Sequence, residues 1–190
     1  MDFELPPELK KMQEETRKFV DTEIRPLVPD IEKRKKYPIE IVRKMAGQGI
    51  YRLLVPREYG GMYETVRSLP ICVVREELGG GHNFAGASIA TQGLGSYPLV
   101  LAGSPEICKR FLPKVASGEV VPAFALTEPE AGSDAGSLRT TVLKEGDSYR
   151  IKGTKCFIYC PIYRPSCQNR PYPGDPRDLR HARRNRDPWL

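Results

Sequence analysis

The sequence predicts an α+β protein in which an N-terminal all-α bundle is followed by an incomplete antiparallel β domain and then by a disordered tail. Apolar residues recur at three- and four-residue spacings through residues 6–118, as on one face of a helix. The period becomes strand-like over residues 120–158. Residues 159–190 carry six Pro and seven Arg with few aliphatic side chains, a composition that cannot bury a core. The predicted domains are therefore residues 1–118, 119–158 and 159–190.

Five helices are predicted in the bundle. An apolar stripe from Leu9 to Leu27 predicts the first helix. Its flanking prolines suit a helix start and a helix end, namely Pro6 and Pro7 before it and Pro26 and Pro29 after it. Four further helices are predicted at residues 39–50, at 69–78, within 84–102 and at 105–117. The adjacent Glu76 and Glu77 would point about 100 degrees apart on a helix, so we interpret them as a solvated face.

Four short runs predict strands in the β domain. They cover residues 120–126, 138–143, 148–151 and 155–158. The second and third runs flank Glu145, Gly146 and Asp147, a composition typical of a hairpin turn. A helical block followed by such a meander of hairpins is α+β organisation.

The loop after the first predicted strand carries residues suited to holding an anion. Thr127, Pro129, Gly132 and Ser133 end the apolar run with turn chemistry. Gly132 has no Cβ, so a ligand could approach the backbone there, and the hydroxyls of Thr127 and Ser133 offer donors to phosphate oxygens or a polar ring edge. A Gly-Ser loop after a strand is more often only a turn, so the residues alone leave both interpretations open.

Six short motifs occur along the chain in an order and at spacings that can be compared with those of known families. The first three are Val55-Pro-Arg-Glu-Tyr-Gly-Gly61, Glu76-Glu-Leu78 and Phe111-Leu-Pro-Lys-Val-Ala-Ser-Gly-Glu119. They are followed by Ala125-Leu-Thr-Glu-Pro-Glu-Ala-Gly-Ser-Asp134, then Gly146-Asp147, then Gly153-Thr-Lys-Cys-Phe-Ile158. The last three together resemble the flavin-binding signature of acyl-CoA dehydrogenases, and the first three lie at spacings similar to that family. The resemblance covers residues 5–158 and then stops.

The resemblance implies an FAD cofactor that is bound around the loop. Backbone groups of Phe124 and Leu126 would meet the flavin ring, and the Thr127 hydroxyl would meet the polar edge of the ring. Gly132 and Ser133 would meet the pyrophosphate, and Ser133 would also reach the CoA. These roles come from the family pattern, because the residues alone indicate only a ligand-compatible turn.

Residues at the end of the resemblance would complete the flavin site. By similarity, Phe157 and Ile158 would cover the ring on the side away from the substrate. The next family position is a Thr that contacts the flavin, and Tyr159 stands there in this chain. Because the tail begins in mid-motif and is rich in Arg and Pro, we interpret it as a reading-frame change.

The family reaction removes the α hydrogen of an acyl-CoA as a proton and the β hydrogen as a hydride, giving a trans-2-enoyl-CoA. By resemblance, an electron-transfer flavoprotein accepts the electrons and the enzyme is a homo-oligomer. The family's general base is a carboxylate of a C-terminal helical bundle, and no Glu or Asp here matches its position, so no catalytic residue is predicted. Two interpretations remain open. One is a dehydrogenase by descent, truncated or completed by a second polypeptide; the other is a non-catalytic acyl-CoA- or flavin-binding module or an inactive relic.

The uncharged stretch at residues 83–105 has two interpretations as well. By resemblance it would wall the acyl-chain pocket with the side chains of Ala87, Ala90, Thr91 and Leu94. Alternatively, small residues only allow helices to approach closely, since pockets and helix contacts both favour them. Its Gly and polar content argues against a membrane span.

Charge and cysteine content argue against other classes of protein. The net charge is +6, of which residues 159–190 contribute +4, so a nucleic-acid partner would depend on the tail alone and is not expected. The five cysteines form no recognisable disulfide framework, which favours the cytoplasm. No metal is expected, because Cys156, Cys160, Cys167 and His181 fit no standard zinc spacing.

Overall fold

The computed structural model describes residues 4–34, 37–146 and 148–158. The predicted disordered tail, residues 159–190, lies outside them. The chain divides into two compact units, the first ending at Phe124 and the second beginning at Ala125. A helical region followed by a small antiparallel sheet confirms the α+β class predicted from the change of period.

The described residues of the first unit are mainly helical. Six α-helices are assigned among its described residues: α1 Pro7–Phe19, α2 Val28–Arg34, α3 Ile39–Gly47, α4 Ser68–Gly81, α5 Asn83–Ala102 and α6 Pro105–Ala116. A π-helical turn at Val20–Ile24 and a 3₁₀ turn at Arg25–Leu27 join α1 to α2. Two further 3₁₀ turns, Ile50–Leu54 and Arg57–Tyr59, lie between α3 and α4.

The predicted end of the first helix at Pro26 and Pro29 is wrong. Helical backbone continues through both prolines, because each occupies the first turn of a new element. An N–H group has no intrahelical acceptor in a first turn, so the missing N–H of proline costs nothing there. The same proline chemistry that ends one helix therefore begins the next.

Two apolar clusters form the core of the first unit. The larger contains Phe19, Tyr51, Leu78 and Ile89 among others and draws side chains from α1 to α5. The smaller packs Leu112 and neighbours on α6 against Val55. Helix α5 packs against both α4 and α6 and contributes side chains to both clusters.

The interpretation of Glu77 as a solvated residue is also wrong. The Arg17 guanidinium on α1 donates two hydrogen bonds to the Glu77 carboxylate on α4, with Nε–Oε2 at 3.0 Å and Nη2–Oε1 at 2.8 Å. The Glu77 side chain is only 12% exposed, and the bonds from Arg17 lower the pKa of its carboxyl. Glu76 is exposed, as predicted.

The second unit contains one hairpin among its described residues. Strand β1, Thr141–Glu145, pairs antiparallel with β2, Ser148–Lys152, and Val142 lies opposite Ile151. Both strands are exposed on both faces. The turn contains Gly146 at φ 59°, which suits a residue without a Cβ.

Two predicted strands are not observed and a third is shorter than predicted. Residues 120–126 and 155–158 have no strand assignment, because within the described residues no neighbouring strand completes their hydrogen-bonded ladder. Strand β1 begins at Thr141 instead of Leu138, since the N–H groups of Arg139 and Thr140 donate to the Glu128 carboxylate. Those two amides are thereby removed from sheet pairing.

Helix α5 is 20 residues long and contains Gly and polar residues among its apolar ones. Within the described part of the chain, no helix is both long and apolar enough to cross a bilayer.

Candidate functional site

The predicted flavin loop contains a tight turn. The amide of Glu128 donates to the carbonyl of Ala131 at 3.0 Å, and the amide of Ala131 donates back to the carbonyl of Glu128 at 3.2 Å. Ala131 is buried, whereas Gly132 and Ser133 are exposed. Apart from Gly132 itself and its two chain neighbours, no described residue has an atom within 4 Å of the position that a Cβ on Gly132 would occupy. The turn therefore presents Gly132 and Ser133 to open space.

The Glu128 carboxylate is the centre of this loop. It is 6% exposed and accepts hydrogen bonds from the amide of Arg139 at 2.7 Å and from the amide of Thr140 at 3.0 Å. The Thr140 hydroxyl and the Lys155 ammonium also donate to it, the latter at 2.9 Å. These bonds, led by that from Thr140, lower the pKa of Glu128 from 4.5 to about 2. The carboxylate is therefore ionised at neutral pH.

Two carbonyl groups of the loop are held by the segment around Lys155. The Lys155 ammonium donates to the carbonyl of Leu126 at 2.8 Å, and the amide of Cys156 donates to the carbonyl of Thr127 at 2.9 Å. Within residues 125–146 and 148–158, no hydrogen bond uses the amides of Leu126 and Thr127 or the Thr127 hydroxyl. The unpaired groups here are therefore donors, which suits the electron-rich edge of a flavin ring or a phosphate.

Phe157 and Ile158 are placed at the end of the described residues. Both are exposed, and Phe157 is 92% exposed. Phe157 also has φ 55°, a left-handed conformation that aromatic residues rarely adopt. Their predicted role of covering the flavin ring stays a prediction.

The residues predicted to wall an acyl-chain pocket lie together along one side of α5, in the first unit. Ala87, Ala90 and Thr91 are half-buried, and Leu94 is 53% exposed. The Thr91 hydroxyl donates within its own helix, to the carbonyls of Ala87 at 3.0 Å and Ser88 at 3.1 Å. This side of the helix is therefore lined by methyl and methylene groups.

Helix α5 also positions the backbone before Phe124. Gly95 lies so close to this segment that a Cβ would approach Pro122 Cβ at 2.8 Å, the Pro122 carbonyl carbon at 2.9 Å and the Ala123 amide nitrogen at 3.0 Å. Only glycine permits this approach without movement of the backbone. Phe124, the first predicted flavin contact, follows directly and is exposed.

Sequence reasoning missed Glu128 and Lys155. Both lie inside the motifs given above. Two opposite charges within motifs of otherwise small and polar residues could have indicated an ion pair. Because 27 residues separate them, only the folded chain shows that they form an ion pair. The described residues contain no group of three His, Cys, Asp or Glu placed to hold a metal ion.

Comparison with known proteins decides the family. Residues 6–119 match the sequence profile described as "Acyl-CoA dehydrogenase, N-terminal domain". The chain belongs to the acyl-CoA dehydrogenase family. This confirms the resemblance predicted from the motifs, and the matched residues include α1 to α6.

Individual relatives extend the match beyond the helical unit. A 3-(aryl)acrylate reductase of Clostridium sporogenes is 38% identical over 143 residues, which is 75% of this chain and 37% of that protein. The structure of a glutaryl-CoA dehydrogenase in complex with glutaryl-CoA is similar with a TM-score of 0.75 and 32% identity, over 83% of this chain and 40% of that one.

An acyl-CoA dehydrogenase of Bacillus anthracis complexed with FAD is similar with a TM-score of 0.70 and 32% identity, over 82% of this chain and 27% of that one. The chain spans about 40% of the length of the curated relatives that it matches.

Proposed function

We propose that this chain carries the flavin loop and the acyl-chain wall of an FAD-dependent acyl-CoA dehydrogenase. One observation supports this most directly: the carbonyls of Leu126 and Thr127 are occupied by Lys155 and Cys156, while the amides and the Thr127 hydroxyl remain as donors. A loop of unpaired donors followed by the open Gly132 fits an acceptor-rich ring edge and a phosphate.

The proposed reaction is the α,β-dehydrogenation of an acyl-CoA thioester to a trans-2-enoyl-CoA, in fatty acid metabolism. Bound FAD would supply the hydride acceptor. Leu126 and Thr127 would orient the ring, Gly132 and Ser133 would bind the pyrophosphate, and Phe157 with Ile158 would exclude water from one face. We assign no general base to a residue of this chain.

The acyl chain would lie along the exposed apolar side of α5. Ala87 and Ala90 leave room for methylene groups, and Leu94 adds apolar surface that is open to a ligand. Since the Thr91 hydroxyl is bonded within the helix, it would present its methyl group to the substrate. Ser133 would contact the CoA portion.

The proposal includes the partners and setting that the family implies. An electron-transfer flavoprotein would accept the electrons, and the working enzyme would be a homo-oligomer in the cytoplasm. The family match supports the electron acceptor, because a reduced flavin must be reoxidised.

A titration of the purified chain with FAD tests the flavin loop. We expect colourless protein that binds added FAD weakly but saturably, because Phe124, Leu126, Phe157 and Ile158 are themselves exposed and would enclose the ring poorly. The measurement is quenching of flavin fluorescence. Thr127→Val should weaken binding about five- to tenfold by removing one hydrogen-bonding group.

The matched control is Thr141→Val, which changes an exposed threonine of β1 that has no predicted ligand role. Absence of any saturable quenching by the unaltered chain would contradict the flavin proposal. A tight, stoichiometric yellow complex would instead contradict the expectation of weak enclosure.

The exposure of Phe157 and Ile158 favours a second candidate, a module that binds acyl-CoA or flavin without turnover. The two candidates differ in product formation. Incubation with FAD, an acyl-CoA and an artificial electron acceptor should give enoyl-CoA, detected by its ultraviolet absorbance, only if the chain supports dehydrogenation. Product formation would exclude the module, whereas binding without product fits both candidates, because no general base is assigned to a residue of this chain.

A further inference from the structure

We propose that Glu128 and Lys155 form a positioning pair that orders the donor groups of the flavin loop. This inference rests on the proposed function, because it concerns the same loop. It adds two residues that act through Leu126 and Thr127 without themselves being assigned contact with the cofactor.

The pair is largely withdrawn from water. The side chain of Lys155 is 17% exposed and that of Glu128 is 6% exposed, with Nζ and Oε1 2.9 Å apart. A buried carboxylate requires hydrogen-bond donors to offset its desolvation. Glu128 has them in Lys155, in the amides of Arg139 and Thr140 and in the Thr140 hydroxyl. A fully bonded network of this kind favours a single loop geometry.

Lys155 transmits that geometry to the loop. Its ammonium bonds to Glu128 and to the carbonyl of Leu126, at 2.9 and 2.8 Å. The next residue, Cys156, donates its amide to the carbonyl of Thr127 at 2.9 Å. Two consecutive loop carbonyls are therefore held by residues 155 and 156, and the charge of Glu128 holds Lys155 in place.

This arrangement decides which groups of the loop are available to a ligand. An unrestrained peptide offers both its N–H and its C=O. Here the carbonyls are occupied, so the loop presents the amides of Leu126 and Thr127 and the Thr127 hydroxyl. Loss of Lys155 would free the Leu126 carbonyl and remove one donor from Glu128. Loss of the Glu128 charge would remove the anionic partner that holds the Lys155 ammonium beside that carbonyl.

The chain provides a matched control in the same loop. Glu130 forms an ion pair with Arg139, but both side chains are mostly exposed. Such a pair contributes little to local order. Glu130→Gln removes the same charge as Glu128→Gln from a site two residues away.

The test compares the unaltered chain with Glu128→Gln, Lys155→Met, the double variant and Glu130→Gln. Amide hydrogen exchange reports the order of the loop at Arg139, Thr140 and Cys156, and peptides of α4 and α5 report whether the helical unit is folded. Titration with FAD gives the dissociation constant, and the visible absorption band of bound flavin reports the hydrogen bonding at its ring.

We expect each single variant to raise the FAD dissociation constant and the exchange rates of those three amides about tenfold or more. The absorption band of bound flavin should shift in both single variants. The double variant should bind FAD no more weakly than whichever single variant binds it less tightly, because both substitutions disrupt the same ion pair. Glu130→Gln should change affinity less than about twofold.

The outcomes separate the two levels of the proposal. The amide exchange rates of the loop could rise while the FAD affinity and the flavin band stay unchanged. That result would show a purely structural pair and would overturn the positioning role. Unchanged exchange in both variants would overturn it as well. Absence of FAD binding by the unaltered chain would overturn the proposed function and, with it, the positioning role. The unaltered chain alone reveals this failure, so it is distinguished from a failure of the positioning role, which only the variants reveal.

Discussion

The helical unit and the hairpin unit are stabilised by different interactions. In the first, fully buried side chains such as Tyr51, Leu78 and Leu112 form apolar clusters between helices. In the second, both strands are exposed and the principal buried side chain of the predicted flavin loop is the charged Glu128. Apolar burial is roughly proportional to area, whereas a polar network depends on a few directed bonds. The hairpin unit should therefore be the more sensitive to single charges and to pH.

The largest expected effect is loss of a core side chain in the helical unit. Leu78→Ala should lower the free energy of unfolding by about 2–5 kcal/mol, because it removes a fully buried side chain and leaves a cavity. Ile151→Ala on the exposed face of β2 should change it by less than about 0.5 kcal/mol. Urea unfolding followed by far-ultraviolet circular dichroism measures both. Equal losses would show that the hairpin packs as tightly as the core.

Two glycines of α5 test how closely the backbone packs within the helical unit. Gly95→Ala should lower the free energy of unfolding by about 1–3 kcal/mol, since its Cβ would collide with the backbone of residues 122 and 123. The Cβ of Gly93→Ala would meet only the flexible Leu54 side chain, at 3.4 Å. This variant should raise the free energy of unfolding by up to about 1 kcal/mol through helix propensity. The same unfolding measurement applies, and a stabilising Gly95→Ala would refute the close contact.

A third change tests whether the exposed side of α5 binds substrate. Ala90→Phe should weaken binding of long-chain acyl-CoA more than short-chain acyl-CoA, because each methylene displaced from the pocket loses about 0.8 kcal/mol. Calorimetric titration across chain lengths measures the dependence. Val142→Phe on the exposed hairpin is the control. A folded Ala90→Phe variant with an unaltered chain-length profile would favour the helix-packing interpretation.

The smallest expected effect is the acid response of the hairpin unit. The pKa of Glu128 in the folded chain is about 2, below its ordinary value of 4.5, so the ionised carboxylate stabilises the fold. That stabilisation is fully present above pH 4.5 and is lost as the pH falls from 4.5 towards 2.

Amide exchange at Thr140 should accordingly rise in this acid range beyond the change shown by a reference peptide. Glu128→Gln should lack this component, because no charge remains to be neutralised. An identical acid profile in both proteins would exclude Glu128 as its source. Glu77, whose pKa is also lowered, should contribute a separate response in the helical unit.

Much of the fold was predictable because it depends on local periodicity. Apolar spacing placed α3 to α6 within a few residues of their observed bounds, since a helix satisfies its backbone within one segment. The hairpin at Gly146 was predictable for a similar reason, because its two strands are adjacent in sequence. The motifs likewise indicated the family that the comparisons confirm.

Tertiary structure decided the features that require partners distant in sequence. Apolar runs at 120–126 and 155–158 looked like strands, but a strand exists only where another chain segment completes its ladder. Arg17 and Glu77 are 60 residues apart, and only the packing of α1 on α4 brings them together. Glu128 and Lys155 are the sharpest example. The residue types alone place a carboxylate and an ammonium within motifs that resemble a flavin-binding signature. The fold buries the two groups 2.9 Å apart, so that their charges interact strongly.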